Sequence, residues 1–96
     1  MAEEQPEAVA HHYSHAEMPL EAFHFWRKAG QMAFERSALR ESEALYRQSL
    51  EMLALVEKTP ETLALAVDVR VEMRMVYAML GEVRDALPVL QVADTI

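Results

Sequence analysis

Apolar residues recur along most of this chain with helical period. In 19–36 they include Leu20, Phe23, Trp26 and Phe34, and from Leu39 to Lys58 they alternate with Glu, Arg and Gln. One stretch breaks the pattern: Val67 to Met75 alternates apolar and charged residues over nine positions, the signature of a half-buried strand. Placed on a helical wheel, the same stretch gives two apolar stripes. Ala66, Val69, Met73, Val76 and Leu80 fall on one side, and Leu63, Val67, Val71 and Met75 roughly opposite. Asp68 and Glu72 occupy one seam between them, and Arg70 and Arg74 the other. A helix with two stripes is one packed on both sides, and no other segment offers a strand partner, so the helix is the expectation.

Turn chemistry sets the boundaries. Pro6 opens a first helix ending near His15, and Met18-Pro19 opens a second ending near Arg36. A third runs from about Leu39 to Lys58, with Glu43 one turn before Arg47 for an ion pair. In "KTPET", Thr59 is the expected N-cap, Pro60 the first helical residue, and Glu61 or Thr62 completes the first turn. The fourth helix stops at Gly81 and a fifth follows from about Glu82. Short connections make neighbours antiparallel, so the expected fold is all-α: a single domain over residues 1–96, an antiparallel array of about five helices.

Composition narrows the function. The chain has 96 residues, 52% hydrophobic and 26% charged, with two Gly, four Pro and no Cys. A thiolate metal site and a disulfide framework are therefore both excluded. The net charge of -7, with nine Lys and Arg spread along the chain, argues against nucleic acid as a partner. No apolar run reaches the ~20 residues of a membrane span, and the N-terminal stretch lacks a signal-peptide pattern, so a cytoplasmic location is expected.

His11 and His15 stand one turn apart, a spacing that can hold zinc, with Glu17 nearby; no third ligand is fixed, so they are weak metal candidates and no cofactor is expected. The aromatic residues Phe23, Trp26 and Phe34 share a face and are expected to pack between helices. Most of the seven Met residues, Met73 and Met75 among them, are expected to fill core. Arg70 and Arg74 could receive a partner's carboxylate, though pairing with Glu of a neighbouring helix is the expectation. No residues have the order of a catalytic set, so no enzyme activity is expected.

Tyr77, Gly81, Val83, Ala86, Leu90 and Ala93 match the spacing Y-x3-G-x-Y-x2-A-x3-F-x2-A of the tetratricopeptide repeat, which they resemble in this order. The departure is Arg74, one turn before Tyr77, where the motif has a small residue. Ala22, Trp26 and Ala29 repeat the second half of the motif, as do Ser42, Tyr46 and Ser49. The order of Ala10 to Tyr13, Phe25 to Gly30, Arg36 to Ala44 and Thr59 to Glu61 also resembles the helical repeat region of bacterial multidomain regulators. Those proteins join a class III adenylate or guanylate cyclase domain to a STAND-type NTPase. The resemblance implies a piece of an α-solenoid acting in protein interaction or signal relay, with a protein partner or a neighbouring domain. No G-x-x-x-x-G-K-[ST] loop is present. An end helix lacking its next repeat leaves Leu87, Leu90 and Val92 as candidates for contact with a partner or for homo-oligomer formation.

Overall fold

The computed structural model describes residues 5–81. It contains four helices and, among the described residues, no strand: α1 Pro6–His15, α2 Pro19–Glu35, α3 Leu39–Leu53 and α4 Pro60–Leu80. The fifth helix expected from about Glu82 lies outside the described residues. So do Leu87, Leu90, Val92, Ala86 and Ala93.

The expected starts hold because the turn residues supply what each first turn lacks. α1, α2 and α4 all begin at a proline, whose missing N–H is no loss there. At α4, Thr59 accepts a hydrogen bond from the Thr62 N–H at 3.2 Å, while the Thr59 N–H donates to Thr62 Oγ1 at 2.8 Å. This reciprocal cap leaves neither backbone donor unpaired. Gly81, with φ 75°, ends α4 in the left-handed region. α3 stops at Leu53, short of the expected Lys58. The N–H groups of Leu55 and Val56 bond back only three residues, and Thr59, extended ahead of Pro60, cannot be helical.

Two further residues are left-handed, and both are non-glycine: Glu17 (φ 58°) and Ser37 (φ 65°). Each ends a helix as Gly81 does. The N–H of Glu17, Ser37 and Gly81 bonds to the carbonyl three residues back, in Ser14, Phe34 and Ala78. One residue further on, the N–H of Met18 and of Ala38 reaches Tyr13 and Ala33, closing the same six-residue ring twice. The next helix then starts two residues after the left-handed one, at Pro19 and at Leu39. The turn is thus built once at residues 13–19 and again at 33–39.

Counting from the left-handed residue, the same positions are buried in each following helix. Position +5 is Ala22 or Ser42, +9 is Trp26 or Tyr46, and +12 is Ala29 or Ser49, all under 5% exposed. The small residue seven before the turn receives the large residue at +9. Ala10 is fully buried in the cluster that holds Trp26. Gly30 lies against Tyr46 so closely that a Cβ there would stand 3.1 Å from the ring. Ser42 Oγ donates to the Gly30 carbonyl at 2.8 Å, which pins the two helices at that crossing.

α2 is shared between two cores. Trp26, Ala22 and Ala29 pack with Ala10 of α1 and Leu45 of α3. Phe23, with Phe34 beside it, packs with Tyr46, Leu53 and the inner stripe of α4. The three aromatic residues therefore pack between helices as expected, but in two clusters. The sequence at 67–75 is helical, but only one of its two apolar stripes is covered among the described residues. Val69, Met73 and Val76 are buried, whereas Val71 and Met75 are 55% and 57% exposed. Met75 is accordingly surface, unlike Met73.

Candidate functional site

The chemistry-bearing side chains gather on two edges of α4. On the edge facing α2, Glu72 accepts hydrogen bonds from Arg27 through both carboxylate oxygens, and from Gln31 Nε2 at 3.2 Å. The Tyr46 hydroxyl, near this carboxylate, also helps to hold it charged. Burial disfavours the charged carboxylate, but the bonds from Arg27 and Gln31 outweigh that and hold its pKa below the ordinary value. Burial raises the pKa of Tyr46, and the negative Glu72 raises it further. This is a structural clasp joining α2, α3 and α4, with every partner satisfied. The sequence placed Glu72 on the correct seam of α4 but gave no sign that Arg27 and Gln31 would meet it, since 41 to 45 residues separate them.

The opposite edge is unsatisfied. Arg70 lines an open groove of about 110 Å³ between α3 and α4, with Leu50, Leu53, Leu63, Ala66 and Lys58 around it. Its Nε and Nη1 are cut off from solvent and have no hydrogen-bond partner among the described residues. Burial accordingly lowers its pKa. The expected pairing of Arg70 with a Glu of the neighbouring helix does not occur there, because the α3 residues lining the groove are Leu50, Leu53 and Ala54. Arg74, one turn on, is exposed.

Tyr77 is buried, and its hydroxyl accepts a hydrogen bond from Arg47 Nη2 at 2.8 Å. Burial, reinforced by its bond to Glu43, pushes its pKa up to about 12. Arg47 also bonds Glu43 at 3.2 Å, the expected i,i+4 pair. Here the pair does more than steady one helix, because it is anchored to α4.

The third surface of α4 is apolar and bare among the described residues. Val71, Met75 and Met79 follow one another at four-residue spacing, 55%, 57% and 62% exposed, continuing the half-buried Leu63 and Val67. The wheel identified Val71 and Met75 as a stripe; only the fold shows that α2 and α3 cover the other one.

The histidines do not converge. The His11 ring packs edge-on against Trp26, with centroids 4.7 Å apart, and His15 is exposed. Among the described residues no group of three His, Cys, Asp or Glu is placed to hold a metal ion. Nor is any described helix long and apolar enough to cross a membrane. Comparison with protein-family models, with curated proteins and with solved structures finds no match.

Proposed function

We propose that this chain is a non-catalytic protein-interaction or signal-relay module of tetratricopeptide type, an antiparallel array of about five helices. The observation that carries this reading is the exposed Val71, Met75 and Met79 stripe on a helix whose opposite face, Val69, Met73 and Val76, is buried against α2 and α3. The structurally equivalent face of α2, 44 residues earlier, carries Phe23, Arg27 and Gln31 and is covered by α4, so in this architecture that face is where the next helix docks. On α4 the equivalent positions are Val67, Val71 and Met75, which suit an apolar helix of a partner protein or neighbouring domain.

A photo-crosslinking residue placed at Met75, with the same residue at exposed Glu51 as control, tests this in cells producing the chain. Capture of one defined protein at position 75 alone, lost on Val71→Glu, is the expected result. Equal labelling from both positions refutes the proposal. Capture of only the chain itself would instead support a self-associating structural bundle. In that case the stripe serves a homo-oligomer.

A further inference from the structure

Arg27, Arg36 and Arg47 each hold a glutamate: Glu72, Glu41 and Glu43. Arg70 is the contrast. Its Nε and Nη1 are cut off from solvent and bond to no acceptor among the described residues, although the residue as a whole is only half-buried. A donor shielded from water without an acceptor is costly. An anion reaching Arg70 would gain a charge-assisted hydrogen bond without first displacing water from those two nitrogens.

The groove around Arg70 restricts what that anion can be. Leu50 and Leu53 of α3 and Leu63 and Ala66 of α4 form an apolar bed, and the exposed Lys58 adds a second cation at the rim. No Asp or Glu is among the described lining residues. Two positive groups over apolar walls are complementary to a carboxylate carried on an aliphatic stem. The space is about 110 Å³, well below the ~300 Å³ at which pockets begin to enclose a small molecule, so it suits one side chain of a larger partner. Leu63 lines the groove and also heads the line of Val67, Val71 and Met75, so the groove opens beside the exposed stripe. A segment lying on the stripe passes its mouth.

We infer that the α3–α4 groove is the acidic-residue subsite of the docking surface. A partner segment that lays apolar side chains on Val71 and Met75 inserts a Glu carboxylate beside Arg70, with the methylenes of its stem on Leu53 and Leu63. The inference rests on the protein-interaction reading above for the source of the carboxylate. The two edges of α4 also fix which way the segment faces. Glu72, on the edge toward α2, is already held by Arg27 and Gln31, whereas the edge toward α3 offers Arg70 and, one turn on, the exposed Arg74. The partner's acids therefore lie on its α3 side.

The test titrates the full chain at pH 7 with two capped dipeptides, N-acetyl-Leu-Glu-amide and N-acetyl-Leu-Gln-amide, and with hexanoate. NMR follows the Arg70 Nε–H and the methyl groups of Leu53 and Leu63. The Glu peptide is expected to shift all three and to bind roughly tenfold more tightly than the Gln peptide. Arg70→Met removes a charge that has no acceptor, so the variant is expected to fold, and it should abolish the preference for Glu. Lys58→Ala should narrow that preference. Equal binding of the two peptides, no response at Arg70, or a preference that survives Arg70→Met overturns the subsite. Hexanoate separates the sources: binding tighter than that of the Glu peptide assigns the groove to a free aliphatic acid and overturns the protein partner. Photo-crosslinking from Met75 reads the stripe independently. Capture there without a Glu preference removes the subsite alone, whereas a Glu preference without capture removes the protein-interaction reading and leaves only a carboxylate site.

Discussion

Gly30 of α2 and Tyr46 of α3 meet so closely that the ring carbons would stand 3.1 to 3.2 Å from a Cβ at position 30. Helix interiors disfavour glycine by about 1 kcal/mol relative to Ala, so Gly30 is there for the crossing. Gly30→Val is expected to cost about 1–3 kcal/mol by overpacking. Gly30→Ala should cost less, because improved helix propensity offsets part of the clash. Combining Gly30→Val with Tyr46→Leu should recover stability relative to Gly30→Val alone, as read by urea midpoints.

Glu72 gives the fold an acid-sensitive clasp. Its folded-state pKa is depressed, so the stability it contributes is present above its ordinary pKa and is lost as pH falls through the lower folded value. Glu72→Gln is expected to cost about 1–2 kcal/mol near pH 7 and to flatten the decline in stability below pH ~4.5. Denaturation of parent and variant across pH 2 to 7 checks both. A variant whose acid profile parallels that of the parent would show that Glu72 does not carry the dependence.

The Tyr77 hydroxyl gives the opposite sign. Its folded pKa is raised to about 12, so its contribution is complete below its ordinary pKa of 10.0 and is lost as pH rises through 12. Tyr77→Phe is expected to cost about 1 kcal/mol at pH 8 and to lose less stability than the parent between pH 10 and 12. Equilibrium unfolding at pH 8 and pH 11 reads the difference.

Ser37 holds a left-handed conformation that costs an L-residue about 1 kcal/mol. Ser37→Gly should therefore stabilise by up to that amount, despite the flexibility glycine adds to the unfolded chain. The conformation matches that of Gly81, so no rearrangement of the turn is required. A fall in Tm would mean that the Ser37 side chain does something beyond occupying the turn.

Thr59 caps the longest described helix. Thr59→Ala is expected to cost about 1 kcal/mol, since it leaves the Thr62 N–H unpaired at the start of α4. Val71→Glu, on the exposed stripe, should leave stability within about 0.5 kcal/mol. Thermal melts of the two variants side by side would separate a fold residue from a surface one.

The sequence by itself determined the helices. Pro6, Pro19, Thr59-Pro60 and Gly81 act through local backbone geometry, and the 3.6-residue period acts through a single helix, so each could be read without knowing what lay opposite. The half motifs at Ala22, Trp26 and Ala29 and at Ser42, Tyr46 and Ser49 were legible for the same reason, and all six residues are buried. Their preceding halves were not, because the turn residue there is Glu17 or Ser37, and a left-handed Glu or Ser carries no sign in sequence that a glycine would.

Tertiary structure decided which stripe of α4 is core and which of its charges is paired. A wheel gives angles on one helix, whereas burial depends on which neighbours arrive. α2 brought Arg27 and Gln31 to Glu72, and α3 brought leucines to Arg70. Charges on the same helix, two residues apart, ended one paired and one without a hydrogen-bond partner among the described residues, because what stands opposite each comes from more than fifteen residues away.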